Sequence, residues 1–368
     1  MPPVTLLIKP ASGMCNLRCT YCFYEETSVS RHATAQKIMS VDLLERIVQR
    51  ALEQADGACS FIFQGGEPTL AGLPFFEALI QFEAQYNRKG VRIHHALQTN
   101  GTLLDENWCA FFQKHHFLIG VSLDGDSVLH DHYRRDPSGK GTFSRVMHGI
   151  GLLKQFSVEF NILTVVTGTS AKKAREIYRF FKEEDLIYQQ YIPCLDPLWA
   201  PRGTSPFSLT AEDYGQFLCD LFDLWFDDIS HGTFVYNRFF ENVLGMLKGY
   251  PPENCSMNGH CTCQFVLESD GSVYPCDFYV LPEYRLGNYV ENSMDEIFRQ
   301  LLRTDFLSAA ATHPPECTQC RYYALCRGGC RRNRDIAPGQ PLEKDYFCQS
   351  YQMFYRHSLP RLLHLANR

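Results

Sequence analysis

The chain has 368 residues, 45% of them hydrophobic and 21% charged, a balance that allows a large buried core and argues against a disordered chain. Its net charge of −6, with Lys and Arg scattered along the sequence, leaves no basic footprint for nucleic acid, and no apolar run is long enough to span a membrane. Sixteen cysteines stand out. With no sign of export, they point to metal binding or catalysis in a cytoplasmic protein rather than to disulfides.

The amino-terminal MPPVTLLIKP has too short an apolar stretch for a signal peptide and reads as a first strand, Val4–Lys9. Further strands are predicted at Cys59–Gln64, Val91–Gln98, Phe117–Asp124, Val158–Val166 and Ile187–Pro193. Amphipathic stretches between them predict helices at Val41–Ala55, Pro74–Tyr86, Asp105–His115, Thr142–Phe156 and Ala171–Lys182. In VDLLERIVQRAL the apolar residues recur at helical spacing, and Ser40 is placed to cap the first turn. The strands are apolar on both faces, as in a parallel sheet covered by helices. The pattern predicts an α/β fold over residues 1–235, a partial (β/α)6 TIM-like barrel with its chemistry at the carboxyl ends of the strands.

The pattern breaks after Leu195. Asp196–Pro206 is rich in Pro, Gly and Ser and reads as a loop, and Thr210–Asp228 as a helix with Asp213 at capping-box spacing from Thr210. Residues 236–368 form a second, cysteine-rich domain, with nine of the sixteen cysteines between Cys255 and Cys348. Within it, QFVLESDGSVYPCDFYV predicts a hairpin turning at Asp270-Gly271. That places Asp277 on a strand beside Cys276, with the two side chains on opposite faces.

The cysteines fall into groups. Cys15-Asn-Leu-Arg-Cys19-Thr-Tyr-Cys22 puts three thiols in one short loop after the first strand. Three thiolates can hold a cubic iron–sulfur cluster and leave one iron open to a substrate; the spacing also suits a zinc knuckle. Further on, Cys261 precedes Gly271 by nine intervening residues and Cys276 follows after four more. Then comes Cys317-x2-Cys320-x5-Cys326-x3-Cys330, with Cys348 after a gap of seventeen. With Cys255 this makes eight thiols, enough to close two [4Fe–4S] clusters or a pair of zinc sites. Cys59, Cys109, Cys194 and Cys219 fit buried apolar positions. Cys263, near Cys261, is expected not to be a ligand.

The triad, with Tyr21 before its last cysteine, resembles the radical S-adenosylmethionine (SAM) superfamily. So does Gln64-Gly65-Gly66-Glu67-Pro68 after the second strand. The resemblance implies a [4Fe–4S] cluster on Cys15, Cys19 and Cys22 whose open iron chelates SAM. It also implies a SAM pocket lined by Tyr21, Gly65, Gly66, Glu67, Ser122, Asp124, Arg134 and Leu195. The later cysteines resemble the SPASM domain of radical SAM enzymes that modify peptides and proteins. This implies one auxiliary cluster on Cys255, Cys261, Cys276 and Cys330, and another on Cys317, Cys320, Cys326 and Cys348, three [4Fe–4S] clusters in all.

A narrower resemblance, carried by LLIKPASGMCNLRCTYCFY, FQGGEPTLAG, ALQTNGTLLDE, FNILTVVT and the run from Cys261 through Asp277, is to the anaerobic sulfatase-maturating enzymes. It implies oxidation of a Cys or Ser in a sulfatase motif, Cys/Ser-x-Pro/Ala-x-Arg, to Cα-formylglycine, with SAM cleaved to methionine and a 5′-deoxyadenosyl radical. A flavodoxin or ferredoxin would supply electrons. Asp277 would be the base; Tyr24, Gln64 and Gln98 would hold the peptide. A carboxylate of about 4 is a weak base for a thiol of about 8.5, so the proton must leave an already oxidised substrate. Two other readings compete. A SPASM maturase forming thioether or other cross-links would be accompanied by a small precursor peptide. A non-catalytic iron–sulfur or zinc scaffold would differ in metal and sulfide content.

Overall fold

A computed structural model describes residues 3–24 and 37–367. The described residues include ten strands. They are β1 (Val4–Ile8), β2 (Ala58–Phe63), β3 (Arg92–Thr99), β4 (Phe117–Ser122) and β5 (Phe160–Val166). The rest are β6 (Tyr188–Pro193), β7 (Tyr236–Asn237), β8 (Val266–Leu267), β9 (Ser272–Tyr274) and β10 (Gly287–Asn288). The chain forms two compact units, each from separated stretches. Met1–Ser122, Arg134–Phe160 and Cys263–Thr304 build the first; Leu123–Tyr133, Asn161–Thr262 and Asp305–Arg368 build the second.

In the first unit β1 to β4 run parallel in sequence order, as the alternation of strands and helices predicts. Their register aligns Ile8 with Phe63, Phe63 with Leu97 and Thr99 with Val121. The residues just past these strands therefore emerge side by side at the carboxyl edge, where a parallel sheet presents its chemistry. On the other side of β1, the short β8 pairs in parallel and β9 and β10 continue antiparallel. The predicted hairpin is thus present but shorter, and Gly271 adopts the positive φ its turn requires.

The helix Val41–Gln54 covers this sheet with Leu44, Ile47, Val48 and Ala51, and Ser40 caps it by accepting the Leu43 N–H at 3.2 Å. An aromatic core forms around Phe76, whose ring meets Phe63 at 5.0 Å and Trp108 at 5.4 Å between centroids.

The second unit holds β5, β6 and β7 in parallel. Its core packs the helix Ala211–Ser230 against the carboxyl-terminal helix Cys348–Ala366 through Phe222 and Phe354, with Trp225 alongside. Thr210 caps the first of these helices by accepting the Asp213 N–H at 3.0 Å. The predicted helix Ala171–Lys182 starts later, at Ala174, behind a 3₁₀ turn over Ser170–Lys173. Among the described residues no helix is long and apolar enough to cross a membrane.

Candidate active site

The loop after β1 carries Cys15, Cys19 and Cys22 and is fastened to the end of β2. Gly66 N–H donates to Ser12 O and Glu67 N–H to Met14 O, both at 2.8 Å. The two glycines serve this junction. A Cβ on Gly66 would sit 2.0 Å from Met14 O, and one on Gly65 2.7 Å from Ser12 O. The room they make is filled by the cysteine loop itself.

Glu67 is fully buried. One carboxylate oxygen accepts from Thr69 N–H at 3.1 Å, Thr69 Oγ1 at 2.7 Å and Thr99 Oγ1 at 2.8 Å. The other accepts from Asn100 N–H at 2.7 Å. Burial pushes its proton affinity up and these four donors pull it back.

Asn100, which sequence reasoning missed, extends this anchor to the cluster loop. Its Nδ2 donates to Asn16 Oδ1 at 2.8 Å; Asn16 Nδ2 donates to Thr102 Oγ1 at 2.9 Å; and Thr102 Oγ1 returns to Asn100 Oδ1 at 2.7 Å. From this closed ring Asn100 Nδ2 also reaches Cys15 Sγ at 3.8 Å, and Leu17 N–H reaches the same sulfur at 3.3 Å. The polar run Gln98-Thr99-Asn100 at the end of a predicted strand was the available signal.

Burial pushes the Cys15 thiol up to about 11, and the charges of Glu67 and Cys22 add to the rise. Such a thiol gives up its proton readily only to a cationic centre. Three thiols in one loop, with amide donors to sulfur, suit an iron–sulfur cluster.

Of the remaining pocket residues in the first unit, Arg134 lies over the Tyr21 ring at 5.4 Å, both side chains buried. Gln98 Nε2 donates to Ser122 Oγ at 3.1 Å. Asp124 and Leu195 belong to the second unit, where buried Asp124 accepts the Val165 N–H at 3.0 Å.

Asp277 departs from expectation in its local structure. Pro275 ends the ladder of β9, and Asp277–Tyr279 forms a 3₁₀ turn with extended Cys276 as its cap. The strand alternation invoked for Cys276 and Asp277 does not apply. Nor is Asp277 an exposed turn residue: it is 7% exposed. Its Oδ1 lies 3.3 Å from Lys9 Nζ. Its Oδ2 accepts from Tyr24 OH and, at 3.1 Å, from Gln64 Nε2, which also donates to Tyr24 OH at 2.9 Å. Burial and the neighbouring Asp277 charge push the Tyr24 hydroxyl well up, so Tyr24 stays protonated and donates. Two of the three predicted peptide-holding residues thus converge on Asp277, whereas Gln98 bonds Ser122.

Lys9, also missed, directly follows β1 with none of its surface exposed, and its ammonium lies 4.5 Å from the centre of the Tyr24 ring. Among the described residues neither Lys9 Nζ nor Asp277 Oδ1 has a hydrogen-bond partner of good geometry, and the two face each other as an ion pair. A lysine closing an otherwise apolar strand was its signature.

In the second unit the later thiols fall into two electrostatic groups. The Cys330 thiol, pushed up to about 12 by burial, feels Cys255 and Cys261. Cys326, likewise about 12, feels Cys348 and Cys317, and Cys320 acts on Cys317 and Cys348. Cys276 belongs to the first unit. Buried Asp345 lies beside both groups, accepting the Cys330 N–H at 3.1 Å, and burial raises its carboxyl to about 6.

Two family models match the chain: the radical SAM superfamily over residues 10–181 and the SPASM iron–sulfur cluster-binding domain over residues 255–321. A cysteine-type anaerobic sulfatase-maturating enzyme of Clostridium perfringens is 48% identical over 367 residues, covering 100% of this chain and 99% of its own. A serine-type anaerobic sulfatase-maturating enzyme of Bacteroides thetaiotaomicron is 33% identical, covering 97% of this chain and 90% of its own. The solved structure of native anSMEcpe with bound AdoMet and Cp18Cys peptide superimposes with a TM-score of 0.95 at 47% identity, covering 100% of this chain and 99% of that one.

Proposed function

The chain belongs to the anaerobic sulfatase-maturating enzymes, radical SAM oxidoreductases, and we propose that it oxidises a cysteine in a sulfatase to Cα-formylglycine. The observation that carries the reading is a buried carboxylate, Asp277, held by Lys9, Tyr24 and Gln64 in the same compact unit as the cysteine triad. The cysteine target follows from the greater likeness to the cysteine-type relative.

In this reading Cys15, Cys19 and Cys22 hold the cluster that binds SAM. Tyr21, Gly65, Gly66, Glu67, Ser122, Asp124, Arg134 and Leu195 shape the SAM pocket, Glu67 by anchoring Asn100 and the strand ends. When bound, cluster and SAM supply a 5′-deoxyadenosyl radical that takes a hydrogen from Cβ of the target cysteine. Asp277 then takes the thiol proton, while Lys9, Tyr24 and Gln64 hold and orient the carboxylate. One electron leaves the substrate at this step, and the thioaldehyde adds water and releases hydrogen sulfide to give the aldehyde. Gln98 contributes to peptide binding.

Cys255, Cys261, Cys276 and Cys330 would hold a nearer auxiliary cluster for the departing electron, and Cys317, Cys320, Cys326 and Cys348 a farther one. The count is then three [4Fe–4S] clusters. The division by motif is residues 1–235 for radical generation and 236–368 for the SPASM part. The protein partner is a sulfatase carrying Cys/Ser-x-Pro/Ala-x-Arg, and the reductant a flavodoxin or ferredoxin. We assign the work to the cytoplasm, where an unfolded sulfatase chain is available.

The test is anaerobic incubation of reconstituted enzyme with SAM, a reductant and a cysteine-motif peptide, read by mass spectrometry. The expected product carries an aldehyde oxygen where the thiol stood. A cross-linked peptide, or SAM cleavage with the peptide unchanged, would overturn the proposal.

A further inference from the structure

We infer that Asn100 tunes the radical-generating centre: its side-chain amide, locked in one orientation, donates to the sulfur of Cys15 and makes the cluster held there easier to reduce. The inference rests on the reading that Cys15, Cys19 and Cys22 hold a [4Fe–4S] cluster. Asn100 directly follows β3 and is 8% exposed. Its Oδ1 accepts the Thr102 backbone N–H at 3.0 Å, a group that can only donate, and the Thr102 hydroxyl at 2.7 Å. Nδ2 therefore points the other way, and the amide cannot turn over without setting N–H against N–H. Each Nδ2 hydrogen has its own acceptor, Asn16 Oδ1 at 2.8 Å and Cys15 Sγ at 3.8 Å. Asn16 Nδ2 donates to Thr102 Oγ1 at 2.9 Å, which closes the ring in a single direction. Asn16 stands between Cys15 and Leu17, so the ring also holds the loop at which the amide is aimed. The Leu17 N–H adds a second donor to the same sulfur at 3.3 Å.

Asn100 lies outside the cysteine loop, on a strand end that its own backbone N–H fastens to Glu67. A brace for the loop would need only the bond to Asn16; the second hydrogen, turned to sulfur, is the feature that points to redox tuning. An electron added to a cluster puts negative charge on its sulfurs, the thiolates included. A donor aimed at such a sulfur stabilises the reduced state more than the oxidised one and raises the potential. The amide is buried, so its hydrogen bond acts at low local dielectric and is not readily replaced by water. SAM cleavage starts from the reduced centre. Asn100 thus governs how far a given reductant charges that centre, rather than how SAM or the peptide binds.

The experiment measures the midpoint potential of the triad cluster in the reconstituted enzyme, by electron paramagnetic resonance at poised potentials. It follows the signal that Cys15→Ala lacks, with iron content measured alongside. Asn100→Leu, which keeps the approximate shape and removes the donor, should lower the potential. At the wild-type midpoint its ratio of reduced to oxidised centre should fall about threefold or more. Asn100→Asp, which keeps an acceptor toward Thr102 and adds negative charge, should lower the potential further. Thr102→Val opens the ring but leaves the amide facing sulfur, and should shift the potential much less. Formation of 5′-deoxyadenosine by Asn100→Leu should fall when the reductant is weakly poised and recover with excess dithionite. Should Asn100→Leu take up no iron at the triad, Asn100→Asp is read in its place; loss of the triad iron in both makes Asn100 a brace of the loop and overturns the inference. A wild-type potential in Asn100→Leu, or an equal shift in Thr102→Val, also overturns it. Absence of the triad signal from the wild-type enzyme overturns the cluster reading instead, so the two failures are distinguishable.

Discussion

The Asn100 backbone N–H donates to Glu67 Oε2 at 2.7 Å, and this one bond ties the ends of two neighbouring strands beneath the cysteine loop. Glu67 also serves Thr69 and Thr99, so its removal strands four buried donors at once. Glu67→Ala should therefore destabilise the protein by about 3 kcal/mol or more and loosen the Asn16, Asn100 and Thr102 ring around Cys15. A lowered thermal midpoint together with poor iron uptake by the triad checks this. A midpoint equal to wild type would show that Glu67 does not carry the junction.

The close approach of the two loops gives a sharper test. An alanine Cβ at position 66 would stand 2.0 Å from Met14 O, a backbone atom that cannot swing aside. Gly66→Ala should separate the cysteine loop from β2 and abolish SAM cleavage. Gly151→Ala is the control: it lies on the exposed face of the helix Phe143–Gln155 with nothing within 4 Å, and should gain up to about 1 kcal/mol. Equal behaviour of the two variants would remove the steric argument.

The order of strands and helices through Pro193 was legible because apolar periodicity directly reports which face is buried, and Ser40 and Thr210 cap where their hydroxyls predict. The cysteine triad stands out by its spacing, whereas the division of the later thiols into two quartets comes only from resemblance. Strand ends were not: β4 stops at Ser122, because beyond it the Leu123 and Asp124 backbones pair within the second unit. Lys9 and Asn100 escaped notice because their partners lie far along the chain, Asp277 being 268 positions beyond Lys9, and no local pattern encodes such a pair. Asp277 was found by resemblance, yet its 3₁₀ turn depends on Pro275 ending the ladder, a detail that strand alternation overrode.

The thiols outside the cluster sets should be chemically silent. Burial pushes Cys59 up to about 12 and Cys109 and Cys219 to about 11. At pH 8 their thiolate fraction is about one in a thousand or less. Iodoacetamide should leave all three unmodified in the folded holoenzyme and label them in denaturant. The raised values also set a pH window. The fold favours the neutral thiol, so its contribution to stability is complete below pH 9, the ordinary value, and is lost as pH climbs toward 12. The thermal midpoint should therefore fall on the alkaline side of pH 9. Rapid labelling of Cys59 at pH 8 in the folded protein would contradict the account.

The number of clusters can be read residue by residue. Reconstituted protein should hold about twelve irons per chain, four for each cube. Cys15→Ala should lose about four irons and all 5′-deoxyadenosine formation, because only the triad binds SAM. Cys326→Ala should also lose about four, yet still cleave SAM, if its thiol is grouped with Cys317, Cys320 and Cys348 as proposed. Cys263→Ala should keep the full count. That thiol is pushed up to about 11 by burial, and among the ligand cysteines whose shifts are resolved none feels its charge. If Cys263→Ala loses iron and Cys261→Ala does not, the nearer auxiliary quartet must be redrawn around Cys263, while the triad and the farther quartet stand unchanged.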